Sequence, residues 1–174
     1  MSVSALRAAL PDELDAAIRA SLAEKPDGVL EAVAERHGTS LQAVMDRLPE
    51  GHAVARPGSG FADLWSRLTE WGEVLVIVHT RDGVFEIKTA LPPGSEGRGY
   101  FNIHGEAPLG GHLRADRCAA IYFVDRTFFG RRSCSLVFVN HEGGAMFKVF
   151  VARDAERNLN ADQLARFEAL RDAS

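Results

Sequence analysis

Apolar residues recur with a helical period through roughly the first seventy positions, and from Gly72 onward the period shortens to two. Leu10, Leu14, Ala17, Ile18 and Leu22 share one stripe and predict a helix over residues 4–24. Pro11 and Asp12 suit a helix start, so Pro11 alternatively divides this stretch in two. Asp27 is placed to cap a second helix, with Leu30, Val33 and Ala34 as its stripe and Gly38 as its stop. Thr39 and Gln42 have capping-box spacing and open a third helix that Pro49 ends. A Pro- and Gly-containing loop at 56–60 leads to a helix over 61–71, with Phe61, Leu64, Trp65 and Leu68 at helical spacing.

Residues 74–80 and 84–91 read as strands joined across Arg81-Asp82-Gly83, a hairpin signal. Residues 92–97 read as a mobile loop. Short strands are expected at 100–104 and 112–115, flanking a turn at 107–111. Longer ones are expected at 118–129, 133–140 and 145–152, the last two joined by a turn at 141–144. Asn160 or Asp162 is placed to cap a C-terminal helix carrying Leu164, Phe167 and Leu170. Short connections between successive strands favour antiparallel pairing. The expected class is α+β: a helical N-terminal segment on a large antiparallel sheet, with a C-terminal helix.

A chain of 174 residues fits one domain of roughly 150 residues plus an appendage. The expected division is an N-terminal extension over 1–20 and a single domain over 21–174. That domain comprises a helical part (21–71), an antiparallel sheet (72–152) and a C-terminal helix (153–174). At 46% hydrophobic and 25% charged the chain can bury a core. A formal charge of −4 argues against a polyanion as main partner. The cysteines, Cys118 and Cys134, form no C-x-x-C pair, which points away from a disulfide framework and toward a reducing cytosol. Arg7, Asp12, Glu13, Asp15 and Arg19 interrupt any apolar export segment, and the apolar runs at 74–78 and 119–124 are too short to span a bilayer. The expectation is a cytoplasmic protein without membrane insertion.

Residues 30–44 have helix–turn–helix cadence. Residues 24–56, however, carry four cations against six acids, which favours a structural hairpin over a phosphate-binding one and implies no nucleic-acid partner. The six histidines form no H-x-H, H-E-x-x-H or H-x-x-x-H, so no zinc site is signalled. Two differ in context: His79 ends the apolar run 74–78, and His112 follows Gly110-Gly111, where missing side chains leave room for a flat group. Residues 94–99 superficially resemble a phosphate cradle but lack the P-loop Lys-Ser/Thr, and no nucleophile motif occurs. Cys118 and Cys134 fall inside expected strands as small core residues. Between Arg98 and Arg132, six arginines (Arg98, Arg114, Arg117, Arg126, Arg131, Arg132) face three acids (Glu106, Asp116, Asp125). Such a cationic zone on an aromatic-rich β domain suits a flat, apolar, anionic ligand, since arginine pairs with carboxylates through two hydrogen bonds.

Several blocks are together specific. Glu70-Trp71-Gly72-x-Val74 leads to Val78-His79-Thr80, then Gly99-Tyr100-Phe101-Asn102 and Gly111-His112-Leu113. Phe128-Phe129-Gly130, Asn140-x-Glu142-Gly143-x-Ala145-Met146-Phe147-Lys148 and Arg153-Asp154 follow, with Lys25-Pro26-Asp27-Gly28 and Leu48-Pro49 upstream. From about Leu22 to the C-terminus the chain resembles the cytosolic haem-utilisation carriers of the ChuX/HutX type. The resemblance implies a HemS-like half, two copies of which pair as a homodimer to mimic the tandem halves of HemS-type proteins. It implies a carrier that takes haem from an inner-membrane importer and delivers it to a downstream haem-processing enzyme. It also implies His79 and His112 as iron-holding residues, with Tyr100 as the alternative ligand where the first histidine is absent.

The chemistry agrees with that expectation. Imidazole binds ferric or ferrous iron through a neutral nitrogen, phenolate prefers ferric iron, and without C-x-x-C-H the haem is non-covalent. His79 or His112 is expected to hold ferric haem, Tyr100 to be neighbour or alternative, and Arg98 or another arginine to meet the propionates. The HemS/ChuS kind of haem degradation is the alternative function, though no water network for oxygen activation is legible.

Overall fold

A computed structural model, which describes residues 9–173, places helices on both faces of a six-stranded antiparallel sheet. The expected helix over 4–24 lies partly outside the described residues. Its described part, α1 (Asp12–Glu24), begins after Pro11, whose locked φ and missing N–H set a boundary. It crosses the position expected to separate extension from domain, and it buries Ile18 and Leu22. Then come α2 (Leu30–Arg36) and α3 (Leu41–Met45). Asp27 does not cap α2, because its carboxylate is engaged elsewhere, on the N–H of Gly130. Ser40, not Thr39, caps α3 by accepting the N–H of Ala43, and α3 ends well before Pro49.

The strands are β1 (Ala53–Pro57), β2 (Glu73–His79), β3 (Val84–Ala90), β4 (Gly94–Gly97), β5 (Tyr100–Ile103), β6 (Gly111–Leu113), β7 (Cys118–Phe128), β8 (Arg131–Asn140) and β9 (Ala145–Phe150). α4 (Phe61–Leu68) lies between β1 and β2, and α5 (Ala161–Asp172), capped by Asn160, closes the described chain. The large sheet runs β1-β7-β8-β9-β2-β3, and a separate small sheet runs β4-β5-β6.

Two strands correct the pattern reading. β1 sits inside the stretch expected to be helical and loop, yet it pairs along β7 from Ala53↔Val124 to Pro57↔Ala120. As an edge strand it tolerates Pro57, which lacks a ladder donor. Gly58 follows it, where an added Cβ would collide with the Cys118 carbonyl. β4 replaces the expected loop: Gly94–Gly97 pairs with β5, with a turn at Arg98 and Gly99 whose positive φ values of 55° and 80° match a tight hairpin.

Strand alternation sends successive side chains to opposite faces. On one face Val74, Val76, Phe123, Leu136, Phe138, Phe147 and Val149 pack with α4, the small sheet and Phe167 of α5. Phe138 is fully buried between Phe61 and Phe147, and its truncation to Ala costs about 3–5 kcal/mol. Gln163 fastens α5 there, donating to the carbonyls of Trp71 and Glu73 and accepting the N–H of Ala152. The other face buries Tyr122, Val124, Val137 and Val139 under α1, α2 and α3. No helix among the described residues is long and apolar enough to cross a membrane.

Candidate functional site

Alternation along β2 puts Val74 and Val76 in the first core and turns Ile77 and His79 to the opposite face, under α2. There the helical layer does not close fully on the sheet and leaves a cavity of about 310 Å³. Leu30 and Leu41 form its helical wall, while Ile77, Val124, Val137 and Phe150 form its sheet wall. Val84 and Phe129, both largely exposed, stand beside it. This volume is at the small end of the roughly 300–1,000 Å³ of ordinary ligand sites.

The polar groups of the cavity are few and convergent. Nδ1 of His79 lies 3.3 Å from Oε1 of Glu31, and Lys148 forms an ion pair with the same carboxylate. Burial pushes the Glu31 carboxyl up, but the Lys148 ammonium more than reverses this, so the net shift is downward. Arg126 is only 7% exposed; it donates to the carbonyls of Pro26 and Gly28, and its buried Nε has no hydrogen-bond partner. Burial pulls its guanidinium below the usual range, opposed by the Asp27 and Glu31 carboxylates. A buried cation with an unused donor is costly unless an acceptor arrives.

His112 stands on the other side of the molecule. Phe101 and Leu113 turn into the first core, so Asn102 and His112, paired in register, face outward. Asn102 Nδ2 donates to the carbonyls of Ser95, Gly97 and Tyr100, leaving Oδ1 to accept from Nδ1 of His112 at 2.8 Å. The Tyr100 ring lies 6.0 Å from the His112 ring, and the Arg114 guanidinium stands 5.8 Å over Tyr100. Arg98 lines the adjoining cleft with Tyr100 and Arg114. The structure thus brings Tyr100, His112 and Arg98 into one neighbourhood and keeps His79 apart from all three, with the large sheet between.

Other expected features resolve individually. His37, His52, His104 and His141 are hydrogen-bonded to Ser21, the Glu50 carbonyl, Ser95 and the Asp116 carbonyl. The cationic zone is not one patch: Arg114 pairs with Asp116, Arg117 with Glu142, and Arg132 with Asp125 and Glu168, while Arg126 lies inside the other face. α3, the would-be reading helix, buries Leu41, Ala43, Val44 and Met45 and has no face to offer a groove. Both cysteines are free and buried; burial pushes Cys118 up to about 11 and Cys134 to about 12. Among the described residues no three His, Cys, Asp or Glu side chains converge as a bare metal site.

Of the cavity residues, Glu31 is given no role by pattern reading, while Arg126 enters it only within the cationic zone and Phe129 and Lys148 only within the motif blocks. Their sequence signal is weak, since only β2 and β9 parity puts Lys148 and His79 on one face, and nothing local ties residue 31 to either.

The haem utilisation ChuX/HutX family model matches residues 54–170. The intracellular heme transport protein HutX of Vibrio cholerae is 32% identical over 150 residues, covering 86% of this chain and 78% of HutX. A crystal structure from Agrobacterium tumefaciens is 48% identical, with a TM-score of 0.86 over 92% of this chain and 91% of that one. The heme-binding protein ChuX is 38% identical, with a TM-score of 0.80 over 88% of this chain and 96% of ChuX. PhuS, a heme-binding protein from Pseudomonas aeruginosa, shares the fold alone, at 18% identity and a TM-score of 0.73. The match takes 96% of this chain but 49% of PhuS, so the chain has the shape of one half of a HemS-like protein.

Proposed function

As the chain belongs to the haem utilisation ChuX/HutX family, we propose that it is an intracellular haem carrier that binds haem non-covalently and seats it in the cavity beside His79. The observation that carries this reading is the coincidence, at one apolar cavity, of an imidazole at the mouth and a buried arginine with an unused donor. Among the described residues no partner meets Nε2 of His79, so this nitrogen is available to iron. Leu30, Leu41, Ile77 and Val137 supply apolar contact for a macrocycle, and Arg126 supplies a donor for a carboxylate. Haem, when bound, contributes an iron with axial positions and two propionates. The incomplete enclosure suits a carrier, because a partly exposed cargo can be met by an acceptor before it is released.

A second seat is favoured by one observation: the Asn102–His112 hydrogen bond also leaves Nε2 of His112 as the basic nitrogen, beside Tyr100, Arg98 and Arg114. The cavity is preferred because its walls are apolar and more enclosed, and a macrocycle needs such contact more than it needs a second donor. The partners in this reading are a second copy of the chain, an inner-membrane importer as haem donor and a haem-processing enzyme as acceptor. HutX and ChuX are named for transport and binding, which supports a carrier over a haem-degrading enzyme.

Hemin titration of the wild type, His79→Ala, His112→Ala and Tyr100→Phe tests the seat. Loss or displacement of the Soret band in His79→Ala, with the other two near wild type, is the expected result. The converse pattern moves the seat to the small sheet, and failure of the wild type to bind hemin ends the proposal. Adding ascorbate to the complex separates the functions: a carrier keeps its Soret band, and catalase-insensitive conversion to a tetrapyrrole product indicates an enzyme.

A further inference from the structure

The large sheet ends in two unlike edges. At one, β1 is five residues long, carries Pro57, and has Arg56 donating to the Arg171 carbonyl of α5. Short length and proline are ordinary ways of closing an edge to further pairing. At the other, β3 runs seven residues without proline and pairs with β2 alone among the described strands. The Thr80 N–H donates to the Gly83 carbonyl and so sets the phase of that ladder. Residues alternate from there, and the N–H and C=O groups of Val84, Glu86 and Lys88 point away from β2. Among the described residues no backbone group meets them on that side. Val84 and Phe85, 52% and 63% exposed, stand on the same strand.

This edge is complementary to itself. The midpoint of β3 is Ile87, and antiparallel pairing with a second β3 about that residue engages all seven positions. Val84 then lies opposite Ala90, Phe85 opposite Thr89 and Glu86 opposite Lys88, each twice by symmetry. Glu86 and Lys88 are both exposed, and neither has an ion-pair partner among the described residues. Moving the two-fold by one residue sets Glu86 against Glu86 or Lys88 against Lys88 and shortens the ladder, and like charges directly opposite are destabilising. We infer that the outer edge of β3 is a docking surface for a second copy of this chain, joined antiparallel about Ile87 so that one sheet continues through both molecules. Val84 and Glu86 also line the cavity beside His79. The seam therefore runs next to that cavity, and Lys88 of the partner subunit meets Glu86 at its wall. The pairing gives a surface to the second copy named among the partners, and it stands whichever pocket seats haem.

Sedimentation of the full, haem-free chain over a range of concentrations tests this with the wild type, Glu86→Lys, Lys88→Glu and the double reversal carrying both. Circular dichroism checks that each variant keeps the fold. The wild type is expected to be dimeric. Each single reversal sets like charges across the seam twice over and raises the dimer dissociation constant by about 10-fold or more, and the double reversal restores it. Ile87→Cys places two thiols opposite each other at a non-hydrogen-bonded pair, and mild oxidation of that variant yields a disulfide-linked dimer. The native cysteines, both buried, do not compete. A monomeric wild type overturns the inference. So does a dimer indifferent to both single reversals, a double reversal no tighter than either single one, or a dimeric Ile87→Cys that does not cross-link. Failure to bind hemin bears on the seat alone and leaves the seam as it is.

Discussion

The carboxylate of Asp27 accepts the backbone N–H of Gly130 at 3.1 Å, across 103 residues of chain. The Asp27 carbonyl takes the N–H of Phe129 as well, and Arg126 donates to the carbonyls on either side, those of Pro26 and Gly28. The Pro26-Asp27-Gly28 loop and the Phe128-Phe129-Gly130 turn are thus one clasp. It holds the start of α2, and hence Glu31 and Leu30, at a fixed height over the sheet. The cavity depends on that height.

Arg126→Met keeps much of the side-chain volume but leaves the Pro26 and Gly28 carbonyls without their donor. The expected cost is about 1–3 kcal/mol, read as a thermal midpoint lowered by about 2–4 °C for each kcal/mol. Hemin affinity falls with it, and a variant as stable as the wild type would show that the clasp does not bear on α2.

Phe129 holds a φ of 45° with a side chain that is 65% exposed. Glycine accepts that backbone without strain, so Phe129→Gly is expected to change folding stability by no more than about 1 kcal/mol. It removes an apolar ring from the mouth of the cavity, and hemin dissociation is expected to speed up. Urea denaturation and stopped-flow transfer of haem to apomyoglobin read the two effects separately.

Asp125 on β7 accepts hydrogen bonds from Arg132 and Arg171, joining the sheet to α5. The Arg132 guanidinium holds the Asp125 carboxyl below its ordinary 3.8, against partial burial. A carboxyl depressed in the folded state stabilises the fold above its unfolded value and loses that contribution as pH falls through its folded one. Stability of the wild type is therefore expected to drop below about pH 3.8 more steeply than that of Asp125→Asn, which is less stable at pH 7 and flatter in acid. Chemical denaturation at a series of pH values checks this.

Cys118 and Cys134 are buried thiols raised to about 11 and about 12. At neutral pH neither presents a thiolate, so a disulfide reagent is expected to label the native protein only at its rate of opening. Both thiols react promptly in denaturant, and prompt labelling of the native chain would contradict the packing of β7 and β8.

Most of the elements are legible in the sequence because they have local causes. The period-two runs of β2, β3, β7 and β8, the hairpin at 81–83 and the Asn160 cap all follow from neighbours within a few residues. What escapes is settled at long range. β1 is a strand because β7 offers it a partner, not because Ala53–Pro57 is a strong strand sequence. Asp27 reads as a helix cap but finds a better use in the N–H of Gly130, and Ser40 takes the next cap instead of Thr39. The same limit applies at the site. The contexts of His79 and His112 are visible in the chain, while their separation by the sheet is not. Glu31 enters the sequence reading only as one acid among six, and becomes distinctive when α2 lies across β2 and β9.

The large sheet divides the two imidazoles as an opaque partition. Inside a single polypeptide one metal atom cannot be gripped by both, whichever of them takes it.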